Sequence, residues 1–304
     1  MSNNLMTAEE IAEYLQISLK NVYHLANNGS LPATRIGNKW LFPRQIVDNW
    51  IYDSARKNIS PHLSESHDVF VSIGSNDYIW EILSDEMHQH PYNLALPHAS
   101  VGSSGGLRAV HERKAHGAGI HLYDAAAGVY NTTFLSRYCS GDTVTLIHLF
   151  NRRQGLIVPP GNPKSISRMQ DIARKDVRFI NRREGSGTRV LLDAFLEKEK
   201  IPAGEISGYD TSVNTHFELA MAVRNGSADT GIGIETAAAV SGLDFIPIQD
   251  ERYDLIVMND YLNHMSFGVL YDFLKSKKFR SRLTALPGYD LNEIGTVVWE
   301  GKVS

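Results

Sequence analysis

The sequence is poor in cysteine: Cys139 is the only one among 304 residues, so no disulfide can form within the chain. A low cysteine content is typical of proteins in a reducing cytoplasm. The formal net charge is −4, and any contact with nucleic acid must therefore come from a local basic patch. No apolar run approaches the roughly 20 residues of a membrane helix, and the first residues lack the basic and apolar regions of a signal peptide. These absences predict a cytoplasmic globular protein that does not bind a membrane.

Residues 1–57 carry the pattern of a small separate domain. Thr7 and Glu10 have the spacing of a capping box, and Ser18 can cap a second helix. Two strand-like runs then flank Gly37 and Asn38, which is a hairpin signal, and a third helix follows. Two helices joined by a tight turn, then a hairpin and a third helix, predict a winged helix-turn-helix.

Taken together, these segments resemble the excisionase or MerR type of winged helix-turn-helix. The matching stretches are residues 6–15, 18–23, 29–33 and 37–43. In that family the second helix enters the major groove and the wing contacts the DNA backbone, so the resemblance implies double-stranded DNA as a partner. The residues that would contact DNA are Lys20, Asn21, Tyr23 and His24 on the second helix, with Arg35, Lys39 and Arg44 near phosphate. The alternative is a helical module that binds protein.

The remaining sequence divides into a linker and a large domain. Residues 58–67 are polar and contain Pro61 and three serines, which predicts a linker. From 68 to 304, strand-like and helical runs alternate, which predicts an α/β domain of two lobes with a mainly parallel sheet. In detail, the pattern predicts separate strands at 94–96, 143–150, 155–158, 177–180, 245–248 and 253–257, and helices at 107–113 and 164–174.

Three loops of the large domain share one composition. Each follows a predicted strand, precedes a predicted helix and combines glycine with polar side chains: residues 74–76, 102–105 and 185–188. Helix starts attract anions through unpaired N–H groups, and ligands of open α/β sheets lie beyond the carboxyl ends of strands. We therefore predict an anion site formed by Ser75, Asn76, Ser103, Ser104, Arg182, Ser186, Gly187 and Thr188. For any one loop the alternative is an ordinary capped helix, and Arg183 is the alternative to Arg182.

The large domain resembles the type II periplasmic-binding proteins, and more narrowly the cytoplasmic binding domains that are joined to a helix-turn-helix. These are related to molybdate- and tungstate-binding proteins. The resemblance is carried by residues 101–107, 119–124, 130–131, 154–163, 181–188 and 228–233. In the tungstate-binding relatives an arginine lies at the place of Arg182, whereas Asp77 departs from their first loop. The resemblance implies molybdate or tungstate as the ligand, and the alternatives are a small carboxylate or a cofactor fragment.

One motif points to a different function. Residues 102–106 match G-x-S-x-G, the nucleophile elbow of hydrolases, with Ser104 at its centre. This short motif recurs freely, and a predicted DNA-binding domain precedes it. We therefore interpret the protein as a ligand-responsive transcriptional regulator rather than an enzyme. It is expected to be a homodimer on paired half-sites, without a cofactor or metal. A cytoplasmic hydrolase or other enzyme on the same fold is the alternative.

Overall fold

The computed structural model describes residues 5–56 and 69–304. The chain divides into two compact units, a small amino-terminal one and a large one that contains nearly all residues from 69 onward. The predicted linker at 58–67 lies outside the described residues. Within the described ranges, no helix is both long enough and apolar enough to cross a membrane.

The small unit combines helices with a short antiparallel sheet. Within residues 5–56 its elements are β1 (Leu5–Met6), α1 (Ala8–Leu15), α2 (Leu19–Asn27), β2 (Thr34–Ile36), β3 (Lys39–Pro43) and α3 (Arg44–Arg56). The strand order is β1-β3-β2, so β2 and β3 form the predicted hairpin and β1 adds a third strand. The helix-turn-helix with its wing is therefore present.

Local capping explains where the first two helices begin. The Thr7 hydroxyl accepts a hydrogen bond from the Glu10 N–H, and the Glu10 carboxylate accepts one from the Thr7 N–H at 2.7 Å. Ser18 accepts from the Asn21 N–H at the start of α2. Both caps satisfy N–H groups that a helix start leaves unpaired, as the sequence predicts. The unit closes on a small core that includes Ile11.

The large unit is a mixed α/β structure. Within residues 69–304 its helices are α4 (Ile79–Gln89), α5 (Ser103–His111), α6 (Thr132–Tyr138), α7 (Gly187–Glu199), α8 (His216–Arg224), α9 (Glu235–Val240), α10 (Met265–Leu274) and α11 (Lys277–Thr284). Its strands are β4 (Ser72–Gly74), β5 (His98–Ser100), β6 (Gly117–Ile120), β7 (Tyr123–Asp124), β8 (Val129–Tyr130), β9 (Thr143–Val158), β10 (Asn181–Arg182), β11 (Ser212–Val213), β12 (Gly231–Ile234), β13 (Asp244–Met258), β14 (Tyr289–Asp290) and β15 (Val297–Lys302).

The main sheet has the order β12-β9-β13-β6-β4-β5, with β14 and β15 also paired to β9. The prediction of a mainly parallel sheet is wrong. Only the pairs β4–β5 and β4–β6 are parallel, whereas β9 is antiparallel to β12, β13, β14 and β15. Alternating strands and helices predict parallel pairing when each strand serves one lobe. Here β9 and β13 run through both lobes, and their direction follows from that shared position.

The long strands β9 and β13 also correct the predicted boundaries. Residues 143–150 and 155–158 belong to one strand of 16 residues, and 245–248 and 253–257 belong to one strand of 15. The polar residues between these runs remain in the ladder, since Arg152 pairs in register with Glu251 and Gln154 with Gln249. Register shifts at 247/249 and 253/254 bracket this polar segment. We call the part with β4, β6 and α5 the first lobe and the part with β10, β12, α7 and α8 the second lobe. The middle of both long strands is polar and lies between these two lobes.

Other boundaries differ for local reasons. The predicted helix 164–174 is reduced to a 3₁₀ turn, Met169–Ala173, because the Asp171 carboxylate accepts the N–H groups of Ser167 and Arg168 and so fixes a turn. The predicted strands 94–96 and 177–180 contribute only single bridges to the described structure, at Ala95 and Phe179. Helix α5 begins at Ser103, four residues before the predicted start at 107.

Candidate ligand-binding site

The three glycine-rich segments meet between the two lobes. The Ser103 hydroxyl lies 3.3 Å from the Ser75 hydroxyl, which joins the first segment to the second. The Ser104 N–H donates to the carbonyl of Gly185 at 3.2 Å, which joins the second to the third. Gly102 has a φ of 80°, and a Cβ there would lie 2.8 Å from the Gly185 carbonyl oxygen, so only glycine permits this approach.

The two first-lobe hydroxyls surround a buried histidine. The Ser75 hydroxyl lies 2.6 Å from Nε2 of His121, and the Ser103 hydroxyl accepts the His121 N–H at 3.1 Å. Nδ1 of His121 lies 2.7 Å from the Glu251 carboxylate. Ser75 and Ser103 are thus already engaged within the protein. Ser104 lies beside them in the first turn of α5 and is 7% exposed.

The third segment begins helix α7. The Ser186 hydroxyl accepts the Arg189 N–H and donates to the Arg183 carbonyl, so this side chain caps the helix. The Thr188 hydroxyl accepts from Nε2 of Gln154 at 2.8 Å. Gly187 packs directly against the His121 ring and carbonyl, in space that a side chain would occupy. For Ser186 the structure therefore gives the capped-helix alternative, while Gly187 and Thr188 face the junction of the lobes.

Arg182 is the most unusual residue of the predicted site. It is 3% exposed, and its Nη2 donates to the Asn214 carbonyl at 2.9 Å. Its Nε and Nη1 are buried and have no hydrogen-bond partner in the described part of the chain. Burial first, and then the nearby Arg152, lower the pKa of Arg182 to about 9, which still leaves it charged at neutral pH. Arg183, the alternative, instead donates to the Ser100 carbonyl at 3.1 Å and is only half-buried.

A second arginine, which the sequence did not single out, organises the first lobe. The Arg152 guanidinium pairs with Glu251 through Nε at 2.6 Å and with Asp77 through Nη1. Burial lowers the pKa of Arg152, but the two carboxylates outweigh it and raise that pKa overall. Burial raises the pKa of Glu251, but Arg152 and His121 bring it down to about 2. Asp77, which departed from the family pattern, is therefore neutralised by Arg152 and not aimed at a ligand.

Two further buried side chains lack partners near Arg182. His216 is 2% exposed, and neither ring nitrogen has a hydrogen-bond partner in the described ranges. Burial, and then Arg182, hold the pKa of His216 well below its usual value, so the ring is neutral. Oε1 of Gln154 is also buried and unpartnered. The backbone N–H of His216 donates to Oδ1 of Asn76 at 3.3 Å, which connects the two lobes.

An open cleft adjoins these unpartnered groups. Its volume is about 620 Å³, and Asn76 and His216 belong to its wall. The rest of the wall combines apolar and aromatic side chains with polar ones: Tyr78, Phe217, Ile234, Ala237, Val240 and Leu286, and Asp77, Glu81, Thr215 and Thr236. The cleft is thus more apolar than the polar cluster beside it, and it shares only its inner edge with that cluster.

The predicted DNA-contacting residues all lie on the small unit with exposed side chains: Lys20, Asn21, Tyr23, His24, Arg35, Lys39 and Arg44. On α2 the opposite side carries the buried Val22 and Ala26. The Arg35 guanidinium donates to the Asn38 side chain at 3.0 Å at the tip of the wing. The exposed side of α2 and the wing thus lie outside the core of the small unit.

Comparison with known proteins identifies both parts of the chain. Residues 5–52 match the helix-turn-helix domain family, and residues 84–275 match the PBP superfamily domain. The uncharacterized protein YvgK of Bacillus subtilis (strain 168) is 33% identical over 303 residues, which cover 97% of each chain. An uncharacterized protein in the 5′ region of a 2Fe-2S ferredoxin gene of Clostridium pasteurianum is 38% identical over 112 residues, 36% of this chain and 99% of its own length.

Solved structures share the fold of the large unit at low identity. A phosphate ABC transporter substrate-binding protein with bound phosphate from Clostridium perfringens has a TM-score of 0.54 at 13% identity, covering 75% of this chain and 99% of its own. The effector-binding domain of QuiR in complex with shikimate has 0.50 at 14%, covering 69% and 96%. The CcmR regulatory domain of Synechocystis PCC6803 in complex with 2-PG has 0.50 at 12%, covering 68% and 95%. The chain therefore belongs to the PBP superfamily and carries an amino-terminal helix-turn-helix domain.

Proposed function

We propose that the protein is a ligand-responsive DNA-binding regulator. The winged helix-turn-helix would bind operator DNA, and a small anion would bind between the lobes of the PBP domain beside Arg182. The combination of the two domain families in one chain supports a ligand-responsive DNA-binding regulator. A ligand that binds the closed lobes more tightly than the open ones shifts their equilibrium, and this shift can change DNA affinity.

The observation that carries the anion site is the state of Arg182. A buried guanidinium with two unpaired nitrogens is costly, because each lost its water on burial without gaining a partner. Of the carboxylates that act on Arg182, Glu251 is held by Arg152 and His121, and the exposed Glu218 accepts the Asn214 N–H at 2.8 Å. An anionic ligand would supply the missing acceptors without disturbing that network. The closest polar groups, on His216 and Gln154, would complete its surroundings.

Resemblance favours molybdate or tungstate as the anion, and a small carboxylate or cofactor fragment is the second class. A calorimetric panel of oxyanions and carboxylates at fixed ionic strength tests the site. Arg182→Ala should weaken binding of the best anion ten- to a hundred-fold, because a charge-assisted hydrogen bond contributes about 1.5–3 kcal/mol. Arg183→Ala is the matched control and should have a small effect. Equal binding by wild type and Arg182→Ala would remove Arg182 from the site.

The DNA-binding half of the proposal has its own test. Lys20→Ala and Arg35→Ala should weaken binding to a fragment selected by the protein from random DNA, without unfolding it. Lys39→Ala should weaken binding across sequences and lower the salt dependence, because a phosphate contact releases about one counterion. Lys198→Ala, an exposed lysine on α7, controls for the loss of one charge. If the full protein ignores all DNA at low salt, the regulator proposal fails.

The proposal also includes the assembly and its place in the cell. Helix-turn-helix proteins commonly bind paired half-sites as dimers, so we expect a homodimer that acts on DNA in the cytoplasm. Sedimentation at micromolar concentration would measure the assembly. A monomer that stays monomeric on operator DNA would contradict the dimer.

One observation favours an enzyme as the second candidate. Ser75, His121 and Glu251 form a chain of contacts at 2.6 and 2.7 Å, the order of a nucleophile, a base and its orienting carboxylate. The sequence motif had pointed to Ser104 instead. Nη2 of Arg152 lies 3.4 Å from the same His121 nitrogen, and this cation would oppose the imidazolium that catalysis requires. Regulation is therefore favoured. Labelling of Ser75 or Ser104 by a serine-directed covalent probe, absent in the corresponding alanine variant, would establish the enzyme.

A further inference from the structure

The unpartnered groups beside Arg182 restrict the chemical class of the ligand. Arg182 supplies only donors, and an acid group would satisfy them; this step rests on the proposed function. His216 requires a different kind of hydrogen-bond partner. A neutral imidazole has one donor and one acceptor nitrogen in either tautomer, and both nitrogens are buried without a partner in the described ranges. Whatever fills the site must therefore donate a hydrogen bond as well as accept one.

Gln154 also requires a ligand group that donates a hydrogen bond. Its Nε2 is engaged by Thr188 at 2.8 Å, which leaves Oε1 as a buried acceptor. Gln154 pairs with Ile234 of β12, and a Cβ on the preceding Gly233 would lie 3.7 Å from Nδ1 of His216. Gln154 shares one face of the β9–β12 pair with Ile234, whereas His216 lies on the face of Gly233, so the two acceptors flank opposite sides of this strand end. Fully deprotonated molybdate or tungstate offers acceptors only and would leave both unsatisfied.

The adjoining cleft gives the size and polarity of the rest of the ligand. Its volume of about 620 Å³ lies within the range of roughly 300–1,000 Å³ that is typical of pockets for small organic molecules. Phe217 and Val240, both on its wall, are 58% and 62% exposed. Large apolar side chains exposed around a cavity mark a binding surface. His216 belongs to both the cleft wall and the polar cluster, whereas Arg182 and Gln154 are not among the residues that line the cleft.

The donor is better supplied by a hydroxyl than by an ammonium group. A buried ammonium needs a carboxylate partner, and the buried carboxylates near the site are taken. Asp77 is held by Arg152 and by the Tyr289 hydroxyl at 3.0 Å, and Glu251 by Arg152 and His121. Glu81, also on the cleft wall, is exposed to solvent.

We propose that the interlobe cleft binds an organic anion in which a carboxylate or phosphate group is joined to a hydroxyl donor and an apolar body. The acid group lies on Arg182, the hydroxyl donates to the acceptor nitrogen of His216, and the apolar body lies against Phe217 and Val240. On this proposal the organic anion binds more tightly than a bare tetrahedral oxyanion, the class that the resemblance favours.

Calorimetry on the full chain with matched probes tests the class. The carboxylate arm compares lactate, 2-hydroxyisovalerate and 3-phenyllactate with 3-phenylpropionate, which lacks the hydroxyl, and with phenylalanine, which carries an ammonium group instead. A parallel arm uses phosphomonoesters with and without a hydroxyl, and a third uses molybdate and tungstate. The best hydroxy acid or hydroxylated phosphomonoester should bind at least tenfold more tightly than its partner without the hydroxyl, and more tightly than tungstate.

Variants assign the three contacts. Arg182→Ala should weaken the best organic anion at least tenfold. His216→Phe should weaken hydroxylated probes about tenfold and change the probes without a hydroxyl little, since one hydrogen bond is lost. Phe217→Ala, at an exposed side chain, should weaken apolar probes several-fold and leave tungstate unchanged. It keeps the test decisive if His216→Phe fails to fold, which thermal melting would show.

Two negative results are distinguishable. Tight binding of tungstate or molybdate that depends on Arg182, with no binding by either organic arm, overturns this inference and leaves the regulator proposal intact. Failure of all three arms to bind overturns both the ligand class and the anion site.

Discussion

At the residue scale, the buried Arg182 should destabilise the free protein while it serves anion binding. Burial first, and then Arg152, lower its pKa, and Glu251 and Glu218 offset only part of that effect. Replacing an unpaired buried charge by an apolar side chain of similar volume is often stabilising. A residue kept for folding alone would not be left in this state. A ligand that accepts hydrogen bonds from Arg182 would offset this loss of stability when it binds.

Arg182→Met should therefore separate the two properties. We expect the free energy of unfolding of the free protein to rise by about 1–3 kcal/mol, since a buried unsatisfied polar group is removed. Anion binding should at the same time fall below detection. Urea denaturation without added anions measures the first effect and calorimetry the second. A loss of stability would mean that the hydrogen bond to Asn214 makes Arg182 a structural residue.

Part of the candidate site could be predicted from the sequence, because those residues lie close together along the chain or follow strands in the same way. Arg182, Gly187 and Thr188 belong to one continuous segment, and Ser75 and Ser103 follow strands in the same manner. Arg152 and Glu251 are 99 residues apart, and their pairing depends on the register of two long strands. The sequence does show Arg152 and Glu251 as charged residues within predicted strand segments. It does not show that these two residues are partners.

At the scale of elements, glycine at the start of α7 allows the lobes to approach. Gly187 in the second lobe packs against the ring and carbonyl of His121 in the first. An added methyl group has no room there unless backbone moves, because the obstacle includes a carbonyl oxygen.

Gly187→Ala should thus favour the open arrangement of the lobes. We expect a larger radius of gyration by X-ray scattering and at least tenfold weaker anion binding, with a modest effect on thermal melting. Gly268→Ala is the matched control, because nothing lies within 4 Å of a Cβ at that helical position. Anion affinity equal to that of wild type would show that this approach is not needed for binding.

The elements also show where sequence patterns are sufficient. Caps and the wing hairpin depend on neighbours within a few residues, and Thr7, Ser18 and the strands around Gly37 were predicted from them. Strand direction in the large unit depends on contacts between distant segments. A break in apolar character at Arg152 was interpreted as the end of a strand, whereas buried ion pairs allow β9 to continue through it.

At the scale of the whole molecule, buried neutral histidines link stability to pH. Burial lowers the pKa values of His98 and His116 to about 4, and it also lowers the pKa values of His121 and His216. In the unfolded chain these rings protonate near their ordinary pKa of about 6.5. Below that pH the unfolded state binds more protons, so folding stability falls as pH falls.

Four such histidines should together reduce the free energy of unfolding by up to about 4 kcal/mol between pH 6.5 and 5.5. Glu251 acts in a lower window: its contribution is present above pH 4.5 and is lost as pH falls toward its folded pKa of about 2. Urea denaturation at the two pH values measures the difference. Equal stability at both would mean that the buried rings bind protons in the folded protein.

The most direct test is whether anion binding changes DNA affinity through Arg182. Fluorescence anisotropy of a DNA fragment selected by the protein would be measured with and without saturating 3-phenyllactate or tungstate, in wild type, Arg182→Ala and Lys20→Ala. Wild type should change its DNA affinity roughly 5- to 150-fold, the range of typical allosteric couplings. Arg182→Ala should bind DNA without responding, and Lys20→Ala should bind the anion but little DNA. An anion that binds wild type and leaves its DNA affinity unchanged would contradict the coupling of the two domains.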